Sequence, residues 1–282
     1  MTNNIWEKNE YYRVIEDIHD QAMSSKDPIF LNFLKLLNEN KSRSILDFGC
    51  GEGWLLKGLS QYLAEYQSLT GLDVSSTGLN RAKERNINKT NFVQYDGNAF
   101  PFADNSFDAV ISSFAFEHLD NPMKSFQELS RVVKSNGLII IACPNFGSPL
   151  FKSPCNKNKR LTLMINRFLK ELRPKEYFKQ DFHWDSVEPI ILPENVHLSD
   201  YDTLCEPNLS SFEKFISAND DKFTVLKINS LWAEYNYLDI TAKSNPGKLR
   251  RILFAILKFL GINNFLRFQY FGSFFFAAIR KK

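Results

Sequence analysis

Three glycines at alternate positions, Gly49, Gly51 and Gly53, follow directly on the apolar run Ser44–Phe48, and helix-forming residues follow them. Glycine takes positive φ readily and lets a bulky ligand touch the main chain, while a helix starting behind such a loop offers free N–H groups to the same ligand. An acid, Asp47, precedes the first glycine, and the third arrives one residue earlier than in the G-x-G-x-x-G dinucleotide fingerprint. The chemistry such a loop supports is the holding of a nucleoside-type cofactor. Asp73 closes a second apolar run, residues 68–72, and lies twenty residues beyond Gly53, where a carboxylate can accept both hydroxyls of a ribose. Asp96 and Gly97 close a third run, residues 91–95. Candidate proton acceptors are histidines. His118 follows a fourth run, residues 109–113, and a neutral imidazole suits that task near neutral pH; the other reading is a structural histidine at a helix start. His183 and His197, with Asp200 and Asp202, form a second polar set able to supply a base or a substrate anchor.

The order of these motifs resembles that of the class I S-adenosylmethionine (SAM) dependent methyltransferases, of the type 11 kind. Asp47 to Gly53 is similar to their D-x-G-x-G-x-G motif, and Phe100-Pro101-Phe102-Ala103-Asp104-Asn105-Ser106-Phe107-Asp108 to their LPF and SFD segment. Glu117-His118 is similar to the family's EH element, and the likeness runs through residues 40–147. The resemblance implies SAM as cofactor. Asp47, Gly49, Cys50, Gly51 and Gly53 would line its path, with Asp47 near the methionine end. Asp73 and Val74 would hold the ribose side, Asp96 and Gly97 would frame the adenine, and Ser113 and Phe114 would approach from the fourth strand. Some relatives carry an E-x-x-E-H metal site here, but Phe114 stands where the first glutamate should be, so no metal is expected.

The elements that must position these residues alternate between helix and strand, which implies a parallel sheet covered on both faces. The implied fold is α/β: a Rossmann-like seven-stranded sheet with helices on both faces, its last two strands antiparallel and an insertion after strand 5. Residues 1–40 are expected to form a helical cover (helices over 6–23 and 29–37), with Trp6, Tyr11 and Tyr12 as an aromatic surround or as ordinary packing. Residues 41–147 would form the cofactor-binding core, 148–207 a substrate-side insertion, and 208–282 the completion of the sheet. Within these, a helix over 125–133, a turn at 134–137, and strands over 138–142, 223–231 and 274–279 are expected. Ligands of such sheets sit beyond the carboxyl ends of the strands, where strand order switches.

Composition fits this plan. The 282 residues, 44% hydrophobic, suffice for a large core. No apolar run reaches the roughly 20 residues of a membrane span or follows a basic start, and the four cysteines show no C-x-x-C pairing, so a reduced, cytoplasmic protein is expected. Net charge is +3, yet residues 241–282 hold nine Lys or Arg and no acid. Residues 248–260 there form an apolar helix with cations at its start. It is either packed on the sheet, or a lip for an anionic or lipid-linked acceptor that makes peripheral contact with the inner face of the membrane through 248–271, or a nucleic-acid patch without any accompanying RNA-binding motif. The resulting expectation is methyl transfer to a small-molecule acceptor, an oxygen of a sugar or of a lipid-linked polysaccharide precursor. A nucleotide-dependent oxidoreductase and a non-catalytic SAM-binding module are the alternatives.

Overall fold

A computed structural model describes residues 7, 11–12, 15, 27–191, 200–231, 248–263 and 265–282. Its frame is a seven-stranded sheet in the order β3-β2-β1-β4-β5-β9-β8. These strands are β1 (Ser44–Phe48), β2 (Ser68–Asp73), β3 (Thr90–Gln94), β4 (Phe107–Ser113), β5 (Val133–Pro144), β8 (Phe223–Leu231) and β9 (Phe274–Lys281). The first five run parallel, and β9 lies antiparallel between β5 and β8. Between β1 and β5 the helices are α2 (Trp54–Tyr62), α3 (Ser76–Glu84) and α4 (Pro122–Val132), preceded by α1 (Pro28–Glu39).

Side chains alternate across a strand, and the two faces of the sheet therefore build two cores. Ile139 and Ile141 of β5, with Phe275, Ala277 and Ile279 of β9, face Phe126 and Leu129 of α4 and Phe212 of α6 (Leu209–Ala218). Leu138 and Ile140, with Phe274, Phe276 and Ala278, face Phe30, Phe33 and Leu37 of α1 and Leu55, Leu56 and Leu59 of α2. The crossing strands are apolar on both sides because both sides are covered.

Several element boundaries differ from the sequence expectation. The turn expected at 134–137 is absorbed into β5, which starts at Val133; the excess residues form an irregularity opposite Phe107 to Ala109, with Asn136 at φ +64°. α4 correspondingly stops at Val132, and β9 runs on to Lys281 because it pairs on both edges. The helix expected over 6–23 falls mostly outside the described residues; Tyr11, Tyr12 and Ile15 are helical.

The insertion folds as α5 (Arg160–Glu171), a 3-10 turn (Lys175–Phe178) and a two-stranded ribbon of β6 (Asp185–Ser186) with β7 (Cys205–Glu206). Leu204 N donates to the Glu117 carbonyl at 2.8 Å, and this stitches the ribbon to the 3-10 turn Phe116–His118 after β4. After β8 the chain returns through α7 (Lys248–Ile262) and a 3-10 helix (Phe265–Tyr270). None of the described helices is long and apolar enough to cross a membrane.

Candidate functional site

The glycine loop leaves β1 with three left-handed residues, Gly49 at φ +73°, Gly51 at +50° and Gly53 at +78°. A side chain would be strained at all three, and at Gly49 an added Cβ would also lie 2.4 Å from the Ala115 Cβ. The loop is held to β2 by Gly49 N, which donates to the Leu72 carbonyl at 2.8 Å, and by Gly51 N, which donates to Asp73 Oδ2 at 2.7 Å. The other oxygen of Asp73, Oδ1, accepts from Ser75 N at 2.8 Å. The carboxylate is thus fixed in rotation, with acceptor capacity left for a ligand. No side chain caps α2, whose first turn points at the same crevice.

Asp47 lies one strand away and is buried. Burial pushes its carboxyl well above the ordinary range, and nearby Asp73 pushes it further. Asp73 is itself raised, by burial that outweighs the hydrogen bonds from Ser75, Gly51 and Val74. Among the described residues no cation is paired with either acid. Cys50 is buried against them, its thiol pushed up by burial and by the same two acids. The crevice is accordingly rich in acceptors, and a ligand's positive charge would favour the ionised forms of its two acids. It suits a ligand that carries hydroxyl donors and positive charge rather than a pyrophosphate.

The remaining expected cofactor residues are placed as follows. Gly97, at φ +84°, has its Cα side facing Val74, 3.9 Å from where a Cβ would sit, so the two border one edge of the crevice. Asp96 is exposed and accepts from both Asn98 N, at 2.9 Å, and Asn98 Nδ2, at 3.1 Å. These bonds hold its carboxylate below the usual range, and its first role is to form that turn. Ser113 is buried with its hydroxyl unpartnered, and Phe114 sits at φ +55° with its ring edge-on to Phe274 at 5.8 Å. Ser112 ties β4 to β1 through the Phe48 carbonyl at 2.9 Å.

Two residues near the N-terminus cover the crevice. Tyr12 is buried over the loop: its hydroxyl stands 2.4 Å from where a Cβ on Gly78 would be, and its ring 3.6 Å from one on Gly51. Burial raises this phenol, with Asp73 adding to the effect. Glu7 accepts from Ser76 N at 2.8 Å and from Thr77 N at 3.2 Å, so it caps α3 from outside. Glu7 was not legible as a site residue. The glycines at 71 and 78, inside a strand and a helix, were the available signal, since an interior glycine marks a close approach: Gly71 admits Cys50 and Phe92, and Gly78 admits Tyr12.

A second constellation stands at the end of β4. His118 Nδ1 lies 3.3 Å from the Asp202 carbonyl and 3.5 Å from Asp202 Oδ2, and Nε2 lies 3.8 Å from Glu117 Oε1. Glu117 is fully buried with Oε2 unpartnered, and burial raises it to about 8. Asp200 is raised to about 6, again by burial. Burial alone would pull His118 down, but Asp202, Glu117 and Asp200 outweigh it and its pKa rises. Tyr11 links this set to the glycine loop, since Asp202, Tyr12, Glu117 and Asp73 all bear on its buried phenol. The structure therefore joins His118 to Asp202, which are 84 residues apart. It does not join His183 to them. His183 is exposed, with Nε2 3.3 Å from the Tyr177 carbonyl and Nδ1 3.5 Å from Asp181, on the wall of a cavity of about 240 Å³ within the insertion. His197 and Trp6 lie outside the described residues. Among the described residues no group of three His, Cys, Asp or Glu is arranged to hold a metal ion.

Beneath that cavity Arg167 is buried, its guanidinium donating to the carbonyls of Phe146 and Ser148 and to Glu206. Glu206 also accepts from Ser153 N and Asn156 Nδ2, each at 2.7 Å. This network anchors the insertion to the end of β5.

Residues 46–141 match the model of a family described as "Methyltransferase domain". A malonyl-[acyl-carrier protein] O-methyltransferase of Marinomonas sp. is 31% identical over 147 residues, 49% of this chain and 54% of that protein. A demethylmenaquinone methyltransferase of Staphylococcus aureus is 27% identical over 150 residues, 50% of this chain and 62% of that protein. The chain thus spans about half the length of the curated relatives it matches. A methyltransferase of Haloferax volcanii, solved in complex with the Trm112 activator, shares the fold across 99% of this chain and 98% of that one, with a TM-score of 0.56 and 16% identity.

Proposed function

On the premise that residues 46–141 form a methyltransferase domain of the class I fold, we propose that the protein transfers a methyl group from SAM to a small-molecule acceptor. The observation that carries this reading is the pair of buried acids, Asp47 and Asp73, without a cation among the described residues, at a loop of left-handed glycines. A cationic nucleoside with ribose donors would offset the cost of ionising these acids, which a dinucleotide's pyrophosphate would not, and this disfavours hydride transfer from a nicotinamide. Asp73 would take the ribose hydroxyls through the acceptor capacity left on its carboxylate. Gly49, Cys50, Gly51 and Gly53 would line the ligand's path, Asp47 would face its ammonium end, Val74, Asp96 and Gly97 would border the base, and Ser113 and Phe114 would close the side at β4.

The chemistry SAM supplies when bound is an electrophilic methyl on a sulfonium. The chain's own part is to align an acceptor atom, keep water out and take up a proton. Tyr11 and Tyr12 serve exclusion. For an oxygen acceptor, His118 is the proton acceptor and Asp202 fixes its ring through Nδ1. Because the surrounding acids raise His118, this base is free only above its ordinary pKa of about 6.5, and the rate should climb with pH through a limb above that value.

An acceptor that is a sugar or a lipid-linked polysaccharide precursor fits the polar and aromatic cavity of the insertion, where His183 stands beside Tyr177. Peripheral membrane contact through 248–271 fits the same acceptor class. Isothermal titration with SAM and with NADH tests the cofactor. SAM is expected to bind, and Asp73→Asn to weaken it roughly 100-fold, the loss expected from two hydrogen bonds to a charged group. Tighter binding of NADH, or unchanged SAM affinity in Asp73→Asn, overturns the reading. Labelled methyl transfer into lipid, polysaccharide, protein and nucleic-acid fractions of an extract tests the acceptor class.

A further inference from the structure

Of the fifteen large apolar side chains exposed among the described residues, nine lie on α5, on α7, or immediately after them. Leu161, Ile165, Phe168, Leu169 and Leu172 follow one another at helical spacing, so they form one stripe along α5 and its C-cap. That stripe faces outward, with Leu161 64% and Leu172 79% exposed, while Leu163 and Arg167 fill the inward side. On α7, Ile252, Ile256 and Phe259 repeat the pattern, and Phe265 extends it into the 3-10 helix. An amphipathic helix ordinarily turns its apolar face to the core; here two helices turn one to solvent.

The 3-10 segment that follows α7 meets α5. The ring of Phe168 packs on Phe271 at 5.7 Å, Phe271 on Phe268 at 5.6 Å, and Arg267 Nε stands 3.5 Å from the Glu171 carboxylate at the end of α5. Their surroundings are cationic. Residues 152–175 hold eight Lys or Arg, of which Arg167 is buried, and one acid, Glu171, which is itself engaged by Arg267; residues 248–271 hold five Lys or Arg and no acid. Lys157, Lys159, Arg160, Arg173 and Lys175 stand exposed around α5.

We propose that the outward faces of α5 and α7 form a single surface that docks in the plane of a bilayer containing anionic phospholipid. The two helices have 12 and 15 residues, short of the roughly 20 needed to span, so they lie along the headgroup boundary with the leucines and phenylalanines inserted and the cations among the phosphates. A second copy of the chain is a poorer occupant, because face-to-face pairing would oppose two cationic rims. The proposal deepens the lipid-linked acceptor reading above by fixing which surface meets the membrane and by adding α5 to it. Its own grounds are exposure and charge.

Vesicle co-sedimentation of the full chain tests it. Wild-type protein is expected to bind phosphatidylcholine vesicles with about one-third phosphatidylglycerol at least tenfold more tightly than pure phosphatidylcholine, and to be released by salt. Ile165→Glu with Leu169→Glu, and separately Ile256→Glu with Phe259→Glu, should each weaken that binding about tenfold or more. Both variants should titrate with SAM as the wild type does, which separates this surface from the cofactor site and shows that the variants are folded. No binding of the wild type to anionic vesicles overturns the proposal, as does equal binding by both double variants. Light scattering that shows a dimer dissociated by Ile165→Glu with Leu169→Glu overturns it too, by giving the face to a second copy.

Discussion

The two halves of the molecule bury charge in opposite ways. At the glycine loop, Asp47 and Asp73 are held among backbone donors with no cation paired among the described residues. In and beside the insertion, buried charge is met within the chain: Arg167 meets Glu206, and Lys214 of α6 donates to the carbonyls of Glu171 and Arg173, 4.0 Å from the Glu171 carboxylate. A buried charge without a partner costs stability unless something completes it. The first arrangement is therefore built for a ligand and the second for the fold itself, although both surround the same end of the sheet.

Substitutions at the two places should separate accordingly. Arg167→Met leaves Glu206 charged and buried, which should cost about 3–5 kcal/mol and lower the melting temperature by roughly 10 °C. Asp73→Asn removes a charge that folding disfavours but sets its amide nitrogen against the Gly51 or Ser75 N–H, so it should cost no more than about 1–3 kcal/mol, less than Arg167→Met, while it weakens SAM as stated above. A large thermal loss in Asp73→Asn would break the contrast, because it would make that acid a structural one. Gly49→Ala combines a left-handed φ with a close Ala115, and roughly 1–3 kcal/mol should be lost in a thermal or denaturant melt.

The smallest effect expected is on pH dependence. Glu117 is raised to about 8 and His118 is raised as well, so the folded state binds more protons than the unfolded chain across this range. Stability is then greatest below the unfolded values and falls as pH climbs through the folded ones. Glu117→Gln should flatten the fall in melting temperature between about pH 4.5 and 8. An unaltered slope would mean that Glu117 is not the group taking up the proton.

What the sequence disclosed and what it hid divide along the same line. The glycine loop and its strand are local: Gly49, Gly51, Gly53 and Asp73 act within one β-α-β unit, and their types and spacing carry the geometry. A parallel sheet followed from alternating elements and its antiparallel last strands from the family resemblance, while the apolar runs marked every strand of the main sheet. The insertion works through partners far apart in the chain. Arg167 sits in an insertion whose helix the sequence did not mark, and only the fold brings Glu206 to it across 39 residues. Asp202 likewise meets His118 across 84 residues. Glu7 and Tyr12 reach α3 from a segment whose pattern signals a helix but not what that helix covers. The apolar period of α5 cannot say by itself whether its stripe faces a core or a surface.

The place of β9 has a consequence for how the chain comes to be folded. Residues 274–281 are sandwiched between β5 and β8, so both of those strands lack a neighbour until residue 281 has been synthesised and has cleared the ribosome. During that interval the Ile139-Ile140-Ile141 edge is open to any other extended chain. Nascent protein should depend on chaperones until β9 slots in, and folded protein should tolerate cuts in surface loops far better than the loss of residues 274–281.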